Sequence, residues 1–135
     1  MRELYRFYAT VCETLWSTIA FQRRVDRYIY KVYTSGVDVF YLYRGQTFVW
    51  DGLKAIENRS KHGLSFETAC ECFFDEWSAF VDASVDDEHR LAVIGLSEQR
   101  RLLYVVHVLR EGHLIRIISA REATAQERRT YEDGE

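Results

Sequence analysis

Two apolar runs, residues 102–109 and 113–120, flank the tetrapeptide Arg110-Glu111-Gly112-His113. That is hairpin spacing, with Gly112 able to take the positive φ a short turn needs. Pairing Arg110 with His113 places Leu109 opposite Leu114, Val108 opposite Ile115, His107 opposite Arg116 and Val106 opposite Ile117. Strand side chains alternate between faces. One face of the hairpin is therefore expected to carry Val106, Val108, Ile115 and Ile117, and the other Leu103, Val105, His107, Arg116 and Ile118. The first reads as core, and the second is apolar except for a cross-strand histidine and arginine.

Directly after the hairpin, Thr124 followed by Glu127 reads as a capping box that opens a short helix through Arg128, Arg129 and Tyr131. The helix start lies close to the strand end, so His107, Arg116, Arg121, Arg128 and Tyr131 are expected to converge. Only the first two are placed by register.

The net charge of -3 averages over two unlike regions. Residues 48–88 hold ten acids against three bases, whereas residues 100–129 hold seven bases against three acids. A basic end on an acidic chain suits a protein that offers a local patch to an anion, not a bulk nucleic-acid binder; solvated faces account for the same charges. With 135 residues, 47% of them hydrophobic, the chain fits one domain with a modest core. Cys12, Cys70 and Cys72 make an odd count with no disulfide framework, which favours a reducing, cytoplasmic setting. Cys70-Glu71-Cys72 lacks a second metal-binding pair, so no metal and no cofactor are expected. No run reaches the roughly 18 apolar residues of a membrane span. The nearest, residues 7–21, is broken by Glu13 and followed by Arg23 and Arg24, with no small-residue cleavage site of a signal peptide.

Residues 1–47 differ in character, holding seven of the nine tyrosines. Leu4, Phe7, Val11, Leu15 and Ile19 recur at helical spacing, predicting a helix over residues 3–24; strands are expected over residues 28–33 and 37–43. Basic and aromatic residues alternate around residues 23–33, a pattern that stacks on bases but also suits ordinary strand residues with exposed charges. Further on, residues 48–50 read as a strand, Asp51 as an N-cap, residues 53–62 as a helix stopped by Gly63, and Ser65 as the cap of a second helix. Lys61 and His62 fall in the last turn of the first helix, where complementing the helix dipole would suffice to explain them. Strands are expected over residues 74–81 and 91–96, with an acidic loop between. A strand, two helices, antiparallel strands and a final helix make an α+β fold.

Several ordered motifs carry a family resemblance. They are F-x-W-D at residues 48–51, N-x-x-K-H-G-x-S-F-E at 58–67, F-F-D at 73–75 and R-x-x-x-I-G-x-S at 90–97. R-L-L-x-V-V-H at 101–107 and I-R-I-I-S-A-R-x-A-T-x-x-E-R-R-x-Y-E at 115–132 complete the set. Over about 85 residues the chain resembles the BrnT toxins of bacterial type II toxin-antitoxin systems. The resemblance implies a RelE-like domain over residues 47–135, an antiparallel sheet with the earlier helices packed on one face and a short C-terminal helix. It also implies a ribonuclease that arrests translation, neutralised by a ribbon-helix-helix, BrnA-like antitoxin, with operator DNA bound only through that partner. Residues 1–46 have no counterpart and read as a dispensable aromatic-rich extension, either fused or translated from an upstream start. Asp75-Glu76 stands where the family often has Asp-Pro, altering a turn.

Cutting RNA without a metal requires the 2′-hydroxyl to attack the adjacent phosphorus, so the site must take that proton, protonate the leaving oxygen and stabilise the phosphorane. Arginine suits the last task because its fork holds two phosphate oxygens and stays charged, so Arg116 and Arg121 are the candidates. His107 is the candidate acid or base, with its pKa expected to be depressed by Arg116. Lys61, His62, Arg128 and Tyr131 are candidate substrate contacts, placed chiefly by the resemblance. The alternative is a non-catalytic module whose basic patch docks an acidic protein. Nothing resembles a DNA recognition helix, and the net acidic charge counts against DNA as the chain's own target.

Overall fold

The computed structural model describes residues 38–134 and, for residues 27–30, the backbone alone. The helix expected over residues 3–24 and the far end of the first expected strand lie outside the described residues. Strands β1 (Arg27–Tyr30), β2 (Asp38–Tyr43) and β3 (Gln46–Asp51) come first. Helices α1 (Gly52–His62) and α2 (Phe66–Glu71) follow, and a 3-10 turn at Cys72–Phe74 extends α2. Then come β4 (Ala79–Asp82), β5 (Leu91–Leu96), β6 (Leu102–Arg110), β7 (Leu114–Glu122) and helix α3 (Ala125–Asp133). The seven strands form one sheet in the order β1-β2-β3-β7-β6-β5-β4. All pairs are antiparallel except β3 with β7, so the α+β expectation holds with one parallel join.

Local chemistry accounts for most boundaries. The Asp51 carboxylate accepts from the Lys54 N–H at the start of α1, and Gly63, at φ 63°, donates back to the Arg59 carbonyl at its end. Ser65 caps α2 by accepting from the Thr68 N–H. Thr124 and Glu127 close the capping box of α3. Arg44 and Gly45 both take positive φ in a two-residue turn, the left-handed pair that matches strand twist in a tight hairpin, and so join β2 to β3. The strand expected over residues 74–81 begins only at Ala79, because Asp75 turns the chain first, accepting from the Trp77 and Leu96 N–H groups.

Both helices before β4 pack on one face of the sheet. Tyr41, Phe48, Trp50, Val93, Leu103, Val105, Ile117 and Ala120 meet Leu64, Phe66, Ala69, Cys70 and Phe73 from the helical layer. Trp50 meets Phe66 at 5.8 Å between ring centroids and Phe48 meets Phe73 at 5.2 Å, both edge to face. Gly95 is needed where the 3-10 turn lies on β5, since a Cβ there would come within 2.7 Å of the Cys72 carbonyl oxygen. The boundary expected between residues 46 and 47 falls at the start of β3, and Tyr41 and Tyr43 from before it are each only 3% exposed within the core.

The β6–β7 hairpin corrects the expected register by one residue. Its loop has three residues, not two: Gly112 and His113 both take positive φ, and Arg110 pairs with Leu114. Leu109 then faces Ile115, Val108 faces Arg116 and His107 faces Ile117. A one-residue slip exchanges faces. His107 therefore joins Leu103, Val105, Ile115 and Ile117 on the core side, while Arg116 shares the opposite side with Val108. Beyond His107 the register shifts, so that Val106 pairs with Ser119 and Val105 with Ala120. Ile118 is the extra residue, and it restores Ala120 to the core.

Candidate functional site

His107 and Arg116 do not meet. His107 is 2% exposed and lies edge-on between Phe73, at 4.8 Å, and Phe80, at 6.1 Å. Burial lowers its pKa, against a weak contact of Nδ1 with the Val105 carbonyl, so it is held neutral by desolvation and not by the arginine. Arg116 gives both ends of its fork to Asp38, at 2.9 Å each, reaching past β3 to β2. The hydrogen bonds of that pair hold the Asp38 carboxyl below its ordinary value. The expected cross-strand pair is therefore replaced by a core histidine and an ion pair on opposite faces.

A different grouping forms where β7 ends. Asn58 of α1 is buried, and its Nδ2 donates to the Ala120 carbonyl at 2.8 Å while its Oδ1 accepts from the Ala120 N–H at 3.0 Å. The same Nδ2 reaches the Leu64 carbonyl at 3.3 Å. This fastens the last turn of α1 to β7 one residue before Arg121. Lys61 and His62 lie in that turn, both exposed, with Arg59 beside them.

Arg121 projects from the other face of β7. Its fork is held by both Glu127 carboxylate oxygens at 2.7 Å, and its guanidinium carbon lies 4.3 Å from the centre of the Tyr104 ring. Arg121 thereby holds the Glu127 carboxyl below its usual range, and the pair anchors the first turn of α3. Arg128 and Arg129 follow in that helix, both exposed, and Arg128 lies 4.0 Å from the Glu132 carboxylate. At the far end of α3, Tyr131 donates to Asp75 at 2.9 Å, and burial together with that bond pushes its phenol up to about 12. The Asp75 carboxylate thus joins α3 to β5.

Of the expected site residues, Lys61 and His62 on one face and Arg121 on the other lie toward one end of the sheet, with Arg128 in the helix that follows. Tyr131 sits at the same end but serves as an anchor for α3, and His107 and Arg116 belong elsewhere. The sequence reading missed Asn58, whose signal was an amide one turn from Ala55 on the inward side of α1. It also missed Asp38, Asp75 and the second role of Glu127. Among the described residues no cluster of three or more histidine, cysteine, aspartate or glutamate side chains is arranged to hold a metal, and no helix is long and apolar enough to cross a membrane. Cys70 and Cys72 are buried thiols, with burial pushing Cys72 up to about 12.

Residues 50–127 match the family model described as the ribonuclease toxin BrnT of type II toxin-antitoxin systems, more than half of the chain. The chain belongs to the BrnT family. Among solved structures, this BrnT chain is similar to the crystal structure of the Brucella abortus ribonuclease toxin BrnT. The two share 25% identity over 56% of this chain and 92% of that one, with a TM-score of 0.42. No curated protein matches it. The BrnT match takes in Asn58, Lys61, His62, Arg121 and Glu127, and leaves Asp38, Arg128 and Tyr131 outside.

Proposed function

We propose that this BrnT-family chain is a metal-independent, RelE-like endoribonuclease that arrests translation, with its site at the end of the sheet where α1 meets β7. The observation that supports this reading most is the Asn58 contact, which ties α1, three residues before Lys61, to the strand residue that precedes Arg121. In such a site the substrate's 2′-oxygen attacks the adjacent phosphorus, the 5′-oxygen leaves with a proton, and a 2′,3′-cyclic phosphate results. His62 is assigned to proton transfer and Lys61 to the charge that builds on the phosphorane. Neither has an acidic partner among the described residues, whereas the forks of Arg116 and Arg121 are already taken by carboxylates. Arg128 and Arg129 are assigned to neighbouring phosphates, and Arg121 holds the helix that carries them. Membership of a family described as ribonuclease toxins counts against a purely docking role for the basic end.

The partner is a ribbon-helix-helix antitoxin, through which the complex binds operator DNA. Induced expression in bacteria, with and without the neighbouring gene, tests the whole reading. Growth arrest and RNA fragments ending in 2′,3′-cyclic phosphate, formed equally in EDTA, are expected only without the neighbour. Intact RNA, or cleavage that stops in EDTA, overturns it.

A further inference from the structure

We infer that Asn58 is the positioning residue of this site, an inference that rests on the reading above and names the group that aims Lys61 and His62. The sheet is incomplete beside the end of β7. β3 pairs with β7 only at Phe48 with Ile115 and Val49 with Arg116, so among the described residues no strand pairs with that side of β7 further along. Ala120 is buried there, and its N–H and C=O need partners that water cannot supply. The Asn58 side chain takes both, at 3.0 and 2.8 Å, and so stands in for the missing strand. A primary amide is the side chain suited to this, since it carries a donor and an acceptor side by side in one plane.

The same amide closes the segment that carries the chemistry. Its bond to the Leu64 carbonyl spans from Asn58 across Lys61 and His62 to the residue after Gly63. Both ends of the 58–64 segment are thus tied to one group, and that group is tied to β7. Leu64 is 1% exposed, and Gly63 fixes the helix end with its own bond to Arg59, so the turn has no slack on either side. Asn58 is only 7% exposed, and its amide is engaged by Ala120 and Leu64. Its effect on cleavage runs through the placement of Lys61 and His62, and a displacement of an ångström at reacting groups is enough to cost a large factor in rate.

The test uses full-length protein carrying Asn58→Asp or Asn58→Ala, alone and combined with Lys61→Ala. Asn58→Asp keeps the shape and the acceptor but loses the two donated bonds; Asn58→Ala loses all three. Single-turnover cleavage of an end-labelled, mixed-sequence transcript gives the maximal rate and the half-saturating protein concentration separately. Urea unfolding on the same preparations gives the folded fraction. The expected result is a maximal rate at least about 10-fold lower per folded molecule in both variants, with half-saturation unchanged. Adding Lys61→Ala should then lower the rate far less than it does in the wild-type background, because the misplaced lysine no longer contributes. Folded Asn58 variants with wild-type maximal rate, or a Lys61→Ala effect of equal size in both backgrounds, would overturn the inference. So would a failure of both variants to fold, which would make Asn58 a residue of the fold alone. If Lys61→Ala and His62→Ala by themselves cleave normally, the failure lies in the site assignment beneath it.

Discussion

Replacing Tyr41 with alanine asks whether strand β2, which precedes the family-matched residues, belongs to the fold. Tyr41 is 3% exposed, stacks on Tyr43 at 6.0 Å and tilts against Trp50 at 5.7 Å. Truncating a buried aromatic of this size costs about 3–5 kcal/mol, the lost transfer energy plus the cavity left behind. Set against a total stability of about 5–15 kcal/mol, that is a large fraction. With a urea slope of about 1–3 kcal/mol/M, the unfolding midpoint should fall by roughly 2 M, measured by tryptophan fluorescence. Phe40→Ala is the internal control. Phe40 adjoins Tyr41 but faces the other way and is 47% exposed, so its loss should cost less than about 1 kcal/mol. A chain beginning at Gln46, expected from the sequence alone to fold as well as the full protein, should lose at least as much as Tyr41→Ala, because Trp50 and the β3 edge are then uncovered. A truncated chain with the full-length midpoint, or equal shifts for Tyr41→Ala and Phe40→Ala, would refute the placement of β2 in the core.

Three further outcomes concern the residues first expected at the site. Lys61→Ala should lower RNA cleavage about 10- to 100-fold, the worth of one charged phosphate contact, while moving the urea midpoint hardly at all; normal cleavage in the purified variant would remove Lys61 from the site. Arg116→Ala should leave cleavage unchanged and cost about 1 kcal/mol through its lost fork with Asp38, which paired cleavage and unfolding measurements on one preparation can check. His107 has a folded pKa below its unfolded one, so its contribution is full above pH ~6.5 and is lost as pH falls, when the unfolded chain takes up a proton that the core refuses. His107→Leu should therefore flatten the decline of the urea midpoint between about pH 7 and pH 5, and an identical decline in the variant would argue against a buried neutral imidazole.

The features legible in the sequence are those set within a turn or so of chain. Asp51, Ser65 and Thr124 cap the helices they were expected to cap, and Gly63 ends α1, because a cap is a bond between a side chain and a backbone group three residues away. Both runs flanking Gly112 form strands for the same local reason, since apolar β-formers on either side of a turn leave the chain few alternatives. The register was not legible. Two and three loop residues fit the same tetrapeptide, and that single residue decides which face His107 and Arg116 occupy. Nor were the long-range contacts, since Asn58 meets Ala120 at the candidate site across 62 residues and Arg116 meets Asp38 away from it across 78. Such pairings depend on where the parallel join of β3 to β7 stops and on which backbone groups it leaves unpaired. The chain's own chemistry named Arg121 as a candidate and the family resemblance Lys61 and His62, but only the packing of α1 against β7 sets them toward the same end of the sheet. Which side chains converge is set by the long-range geometry of the sheet, and no local preference encodes it.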